Sequence, residues 1–316
     1  MYRYVLSRIG QGIVLVFIVT LITFGLQHAL PGGAARAVLG SRATAAQIAE
    51  FNHQKGLDRP LVVQYVYYMG AIVRGDLGFS YKLNQGVDSL IEERLPKTLL
   101  LTLTALLLAV LLGIPVGLIE ALRRNSAVDY ALTTISFIFY AMPIFFLALL
   151  LVLALAIFWP VFPPVAPQGT GIGDILTEPM GLFLPVLALT LWNLALFSRY
   201  MRSSVIDTLS QDYIVTARSK GLKESAIVAR HLLRNSCIPV VTLIGLNLPS
   251  VVAGALIVEA VFNYPGMGLL FWNAATGDDF PVELGVILVT GIATVLGSLF
   301  ADLGYAALDP RVTYKT

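Results

Sequence analysis

Charge-free runs constrain this chain more than any other feature. Lys, Arg, Asp and Glu are absent from 9–35, 98–119, 130–173, 179–198, 235–258 and 284–301. A bilayer crossing needs roughly 20 apolar residues, and a charge at its centre costs about 2.5–3.5 kcal/mol on insertion scales. Of 316 residues, 57% are hydrophobic and 13% are charged. Soluble domains carry about 25% charged residues, so an ordinary water-soluble enzyme is excluded. The run 130–173 is long enough for two crossings. Pro160, Pro163, Pro164 and Pro167 crowd its second half, and proline removes a backbone donor. One helix to about Trp159, followed by an exposed loop, is expected. The segment 260–277 is too rich in turn residues to cross. The expectation is an all-α, polytopic membrane protein with six transmembrane helices.

Orientation follows from Lys and Arg in the short connections. The connections 159–178 and 263–283 contain none. The 199–234 connection contains seven: Arg199, Arg202, Arg218, Lys220, Lys223, Arg230 and Arg234. Arg123 and Arg124 mark the 120–129 loop, Arg3 and Arg8 the N-terminus, Arg311 and Lys315 the tail. Both termini are therefore predicted to be cytoplasmic, as six crossings require. The apolar run from Ile9 to Leu30 exceeds a signal-peptide core, so the first helix is expected to be retained despite Ala35-Arg36-Ala37.

Three units are expected: 1–30 with the first crossing, an extracytoplasmic insert at 31–95, and a five-helix core at 96–316. In the insert, Thr44-Ala45-Ala46-Gln47 reads as a capping box for a short helix near 45–55 that stops at Gly56. Pro60 opens a second helix through Tyr65, Tyr68 and Ile72, and a third runs from Asp88 to Leu95, closed by Pro96. The insert is either a cap on the helix ends or a docking surface for a substrate-delivering partner.

The stretch 202–238 is too polar for lipid yet rich in helix formers. Gly221 suits a break between two short helices, and Pro239 suits the start of the next crossing. A helix, turn and helix across the inner membrane face is the predicted form. Its cations fix topology and meet anionic lipid at the least.

Here the sequence resembles the "EAA" loop of binding-protein-dependent ABC importer permeases of the dipeptide/oligopeptide branch. The resemblance rests on Asp212-Tyr213, Thr216-Ala217-Arg218, Gly221-Leu222, His231, Leu233-Arg234-Asn235 and Pro239. It extends to Leu30-Pro31-Gly32, Gly56-Leu57-Asp58 with Pro60-Leu61, and Gly75-Asp76-Leu77-Gly78. Further along it takes in Gly113-Ile114-Pro115 with Gly117, Val258 to Phe262 with Pro265-Gly266-Met267-Gly268, and Leu308-Asp309-Pro310-Arg311. Gly33-Ala34 departs from the family's usual Asp-Pro, and Thr216 fills the glutamate slot that names the loop.

The resemblance implies a translocation subunit in the cell (inner) membrane. Its implied partners are a related permease in a heterodimer, two ATP-binding subunits and an extracytoplasmic substrate-binding protein. It implies ATPase coupling at Thr216, Ala217, Arg218, Gly221 and Leu222, carried by a short rigid helix near Ala217–Ala229. ATP and magnesium belong on the partners, with no cofactor on this chain. Consistently, no G-x-x-x-x-G-K-[ST] stretch and no Gly-Lys pair occurs. A net charge of +2 gives no field toward nucleic acid. One cysteine, Cys237, and three histidines far apart in sequence argue against a metal site.

A polar path favours uncharged hydroxyls and amides. Candidates are Thr98 and Thr102 on the second helix, Asn247 and Ser250 on the fifth, and Thr290, Thr294 and Ser298 on the sixth. Small polar residues also serve plain helix packing. Glu259, with Pro265, Gly266 and Gly268, marks an outer turn. Its carboxylate either orders that turn by accepting backbone hydrogen bonds or attracts a peptide's amino terminus. Di- or oligopeptides are the expected cargo, with nickel complexes or glutathione as alternatives. A stand-alone secondary transporter is disfavoured because no mid-span coupling acid is present, and no catalytic grouping supports an enzyme.

Overall fold

The computed structural model describes residues 2–29, 35, 39, 42–80, 82–253 and 255–308. Leu30-Pro31-Gly32, Gly33-Ala34, and the tail from Asp309 with Arg311 and Lys315 lie outside the described residues. The first helix, α1, spans Tyr2–Ala29, and α2 (Ala45–Lys55) and α3 (Leu61–Val73) follow. A two-stranded antiparallel ribbon pairs β1 (Phe79–Ser80) with β2 (Gln85–Gly86), the one departure from an all-helical chain among the described residues. Then come α4 (Val87–Leu122), α5 (Ala127–Ala141), α6 (Ile144–Phe158), α7 (Ile172–Thr177) and α8 (Pro179–Leu209). The polar loop holds α9 (Asp212–Ser219) and α10 (224–236). The chain continues through α11 (Ile238–Ala253), α12 (Leu256–Val261), α13 (Met267–Thr276) and α14 (Phe280–Leu308).

Among the described residues, four helical stretches are long and apolar enough to cross a membrane: α4, α8, Glu224–Leu248 and Phe280–Leu299. The pair α5–α6 makes a fifth if taken as one broken span. The single helix expected up to Trp159 is bent by 105° between Ala141 and Ile144. Pro143 has no amide hydrogen, and Met142 before it is extended (φ −80°, ψ 128°), as the residue before proline prefers. The opposite error occurs at Pro96. The expected stop after Leu95 is absent, because α4 runs unbroken through Pro96 and Pro115. Burial on both sides holds the axis: Leu90 and Ile91 before Pro96, and Lys97, Thr98 and Leu101 after it. Tertiary packing outweighs one lost hydrogen bond.

Local signals in the insert are realised where capping chemistry set them. Thr44 Oγ1 accepts from the Gln47 amide at 3.3 Å, and Gln47 Oε1 accepts from the Thr44 amide at 2.9 Å. Gly56 closes α2 at φ +66°. The proline-rich loop also forms, and it is pinned down: Phe162 stacks on Phe183 at 4.0 Å, and the Ala166 amide donates to the Phe262 carbonyl at 2.8 Å.

The core is built around α4 against α8. At one end Leu101, Ala105, Leu184 and Ala188 meet Val258, Phe262 and Tyr264. At the loop end Leu106 and Ala109 meet Phe197, Met201 and Val205, with Val240 and Val251 closing from α11. Two glycines on α4 permit this approach. A methyl group at Gly113 would lie 2.8 Å from Phe197 Cβ, and one at Gly117 2.7 Å from Met201 Cβ. Small residues four apart let membrane helices touch backbone to backbone.

Overpacking such a contact costs about 1–3 kcal/mol. Gly117→Leu should therefore lower the unfolding temperature in detergent. Gly10→Leu, where nothing lies within 4 Å, should leave it unchanged. Equal melting of the two variants would refute the close-contact account.

Candidate translocation and coupling sites

The loop after α8 folds as two helices joined by a tight turn. Gly221 takes φ +73° between α9 and α10, with no neighbour within 4 Å of the position a Cβ would occupy. Glycine is thus required there by backbone conformation, not by space. The Gly221 amide donates to the Arg218 carbonyl at 2.9 Å and the Leu222 amide to the Ala217 carbonyl at 3.3 Å. The turn falls inside the stretch Ala217–Ala229 expected as one rigid helix, so the rigid unit is instead α9, the turn and α10 together. A miniature core of Ile214, Ala217 and Ile227 clamps the two helices. Asn235 Nδ2 donates to Tyr213 Oη at 3.0 Å, and Arg218 makes a forked ion pair with Glu224, the closer contact 2.8 Å.

The five sequence-selected residues divide by burial. Ala217 is inside the clamp, whereas Thr216, Arg218, Gly221 and Leu222 face outward. Exposed Tyr213 and Val215 add apolar surface to the same short helix. The base of the loop is fastened to the bundle. Leu232 packs with Val205, and Ser236 Oγ donates to the Ser204 carbonyl at 3.4 Å. Arg202, read in the sequence only as a topology charge, makes two 3.0 Å hydrogen bonds to the buried Asp129 carboxylate. That forked pair ties the start of α5 to α8.

A cavity of about 350 Å³ opens between α4, α8, α11 and α12. Three predicted lining residues meet there: Thr102, Asn247 and Ser250. Trp192 and Asn193 of α8 join them, and apolar side chains form the rest of the wall. Asn193 met the same uncharged-amide criterion that selected Asn247, and applying it to the 179–198 run would have found it. Thr290, Thr294 and Ser298 do not line this cavity. Each folds its hydroxyl back onto an α14 carbonyl four residues earlier, at 2.9, 2.7 and 2.8 Å.

Thr98 is fully buried and serves the turn beyond α12 instead. Its hydroxyl donates to Glu259 Oε1 at 2.9 Å and accepts from the Met267 amide at 2.7 Å. Glu259 Oε2 accepts from the Leu269 amide at 3.0 Å. The carboxylate and hydroxyl together cap the first turn of α13, whose amides lack intrahelical partners. Gly266 and Gly268 lie against this carboxylate, and a Cβ on Gly268 would meet the Leu256 backbone. Buried Tyr264, just before Pro265, donates from Oη to the Lys97 carbonyl at 2.6 Å. Both Glu259 oxygens are thus occupied inside the protein, the ordering arrangement of the two expected from sequence.

A bent helical bundle with a clamped helical loop at one end and a partly polar cavity between its helices has the form of a membrane translocation subunit. Residues 113–314 match the family described as "Binding-protein-dependent transport system inner membrane component", and residues 1–102 match its N-terminal counterpart. The chain belongs to this family. A Brucella suis relative is 40% identical over 319 residues, covering 99% of both chains. The oligopeptide transport system permease protein AppB of Bacillus subtilis is 36% identical, covering 99% of this chain and 100% of its own. The glutathione transport system permease protein GsiC of Escherichia coli K12 is 36% identical over the whole of both chains. Among solved structures, an inward-facing crystal form of the MetNI methionine ABC transporter matches with a TM-score of 0.52. That match has 18% identity and covers 70% of this chain and 96% of the other, a likeness of fold alone.

Leaving a buried polar group unpaired costs about 1–3 kcal/mol. Thr98→Val removes one partner from Glu259 and one from the Met267 amide. It should lower the melting temperature and speed protease cleavage between Phe262 and Gly268, while Thr290→Val leaves both unchanged. Wild-type behaviour of Thr98→Val would remove the capping role.

Proposed function

We propose that this chain is the permease subunit of an ATP-driven importer of di- or oligopeptides. It forms the pathway with a second, related permease. Six crossings are assigned: α1, α4, the broken pair α5–α6, α8, α11 entered from the last residues of α10, and α14. Both termini and the α9–α10 loop face the cytoplasm. The insert 31–95, less its last residues, which form the outer end of α4, faces outward with the turn at Glu259. Two ATP-binding subunits hydrolyse ATP with magnesium, and an extracytoplasmic binding protein delivers cargo. The observation that carries this reading is the α9–α10 loop, whose outer face is free and whose inner face is fastened to α8.

The division of labour follows from the chemistry. A peptide carries amide donors and acceptors that hydrocarbon cannot satisfy. Asn193, Asn247 and Ser250 offer exchangeable hydrogen bonds without fixed charge once the asparagine amides leave their own helix carbonyls, so cargo is solvated but not trapped. Ala217 and Gly221 hold the coupling unit's shape, while Thr216, Arg218 and Leu222 meet the ATPase. Thr216 shows the loop's usual glutamate to be dispensable on this reading. Glutathione, itself a peptide, is the second reading, favoured by the full-length similarity to a glutathione permease.

A left-handed backbone costs roughly 1–2 kcal/mol for a residue other than glycine. In the complete reconstituted importer, Gly221→Glu and Ala217→Trp should abolish uptake. ATPase activity should persist but no longer respond to loaded binding protein. Normal uptake and stimulation in both variants would sink the coupling assignment.

A further inference from the structure

The helix α3, LVVQYVYYMGAIV, holds no charged residue although it lies in the segment expected to be a water-facing insert. One side is fixed to α1. Tyr65 Oη sits 2.9 Å from Thr20 Oγ1, which also reaches Met69 Sδ at 3.8 Å. The Tyr65 ring lies 5.3 Å from Phe24, and His28 Nε2 approaches Gln64 Oε1 at 3.1 Å. A stripe beside that contact is open: Val62 is 75%, Val66 63% and Val73 83% exposed.

Depth decides what covers that stripe. Thr20 is twelve residues beyond Arg8, about 18 Å along the helix axis. With hydrocarbon about 30 Å thick and Arg8 at its cytoplasmic edge, Thr20 lies about 12 Å below the outer edge. A tyrosine reaching down to Thr20 spans only part of that distance. The α3 backbone is therefore itself immersed, by the ~5–10 Å typical of interfacial helices. Its ends agree, because Arg59 precedes it and Arg74 follows it. The Arg59 guanidinium lies 5.0 Å over the Tyr67 ring, placing a cation and an amphipathic aromatic at headgroup level. On α1 itself Ile18, Leu21 and Ile22 are exposed as well, apolar surface that suits the same environment.

We infer that α3 is an interfacial helix lying in the outer leaflet, its open stripe covered by lipid acyl chains. The insert is then divided. Polar α2, with no buried residue, stands in water. α3 anchors the insert's base beside the first crossing. The inference rests on the proposed function in two ways: α1 as a crossing sets the depth of Thr20, and the orientation names the leaflet.

The test uses the full chain with its partner permease in phosphatidylethanolamine/phosphatidylglycerol vesicles, with Cys237→Ser as background and no binding protein present. Spin labels at Val66→Cys and Val62→Cys should collide severalfold more with oxygen than with a water-soluble nickel chelate. A label at Gln54→Cys on α2 should show the reverse. Free access of the chelate to Val66 overturns the inference, because the stripe is then in water. Protection from both reagents overturns it too, because a protein surface covers the stripe. Chelate access that disappears only on adding binding protein assigns the stripe to the receptor and overturns it equally.

Discussion

The contact between α4 and α8 is the constraint on which the rest of the molecule depends. In lipid there is no hydrophobic force to drive helices together, so close packing of small residues must supply the attraction. Gly113 and Gly117 provide it, and their neighbours on α8 are Phe197, Ser198 and Met201. Everything functional branches from this pair. The cavity takes Thr102, Ala105 and Leu106 from α4 and Leu189, Trp192 and Asn193 from α8. The polar loop is rooted on the last turns of α8. The buried Thr98 that caps the far turn sits on α4.

The two proline outcomes show that the same residue is read by its surroundings. Pro96 removes one donor from a helix whose flanking turns are both buried, and the axis survives. Pro143 follows Met142 in a segment where Tyr140, Phe145 and Phe146 are exposed. There nothing opposes the extended preference of the preceding residue, and the helix turns through 105°. Sequence alone contains the proline but not the packing, so the two sites could not be ranked in advance.

Legibility was highest where chemistry is local. The capping box at Thr44–Gln47, the stop at Gly56 and the turn at Gly221 each depend on a few adjacent residues, and each forms. The charge-free runs located the apolar segments because the cost of a buried charge needs no tertiary knowledge. Long-range pairings were invisible. Thr98 and Glu259 are 161 residues apart, and Asp129 and Arg202 are 73 apart, so no spacing rule links them. Thr98 and Thr102 looked equivalent on one helical face, yet one hydroxyl caps α13 and the other, beside the cavity, ties α4 to the Val251 carbonyl of α11. The α3 helix was likewise legible, since Pro60 opens it and Tyr65, Tyr68 and Ile72 fall within Leu61–Val73.

On the proposed orientation and coupling role, these connections favour one mechanical reading of how an event at the loop would reach the pathway. Asn193 at the cavity and Ser204 at the root of the loop are on the same continuous helix, about 17 Å apart along its axis. At Ser204 and Val205, α8 is joined to α10; at Arg202 it is joined to α5 through a forked ion pair with a buried carboxylate. A force on α9 is passed by the Ile214–Ala217–Ile227 clamp to α10 and thence to α8. The only internal proline of α8, Pro185, precedes the cavity residues, so the stretch from Asn193 to Ser204 has little freedom to absorb that force by local unwinding. It tilts as a rod, and the cavity wall carrying Trp192 and Asn193 moves with it. The close glycine contact with α4 is the natural fulcrum of that tilt, because it is where the two helix axes approach most tightly.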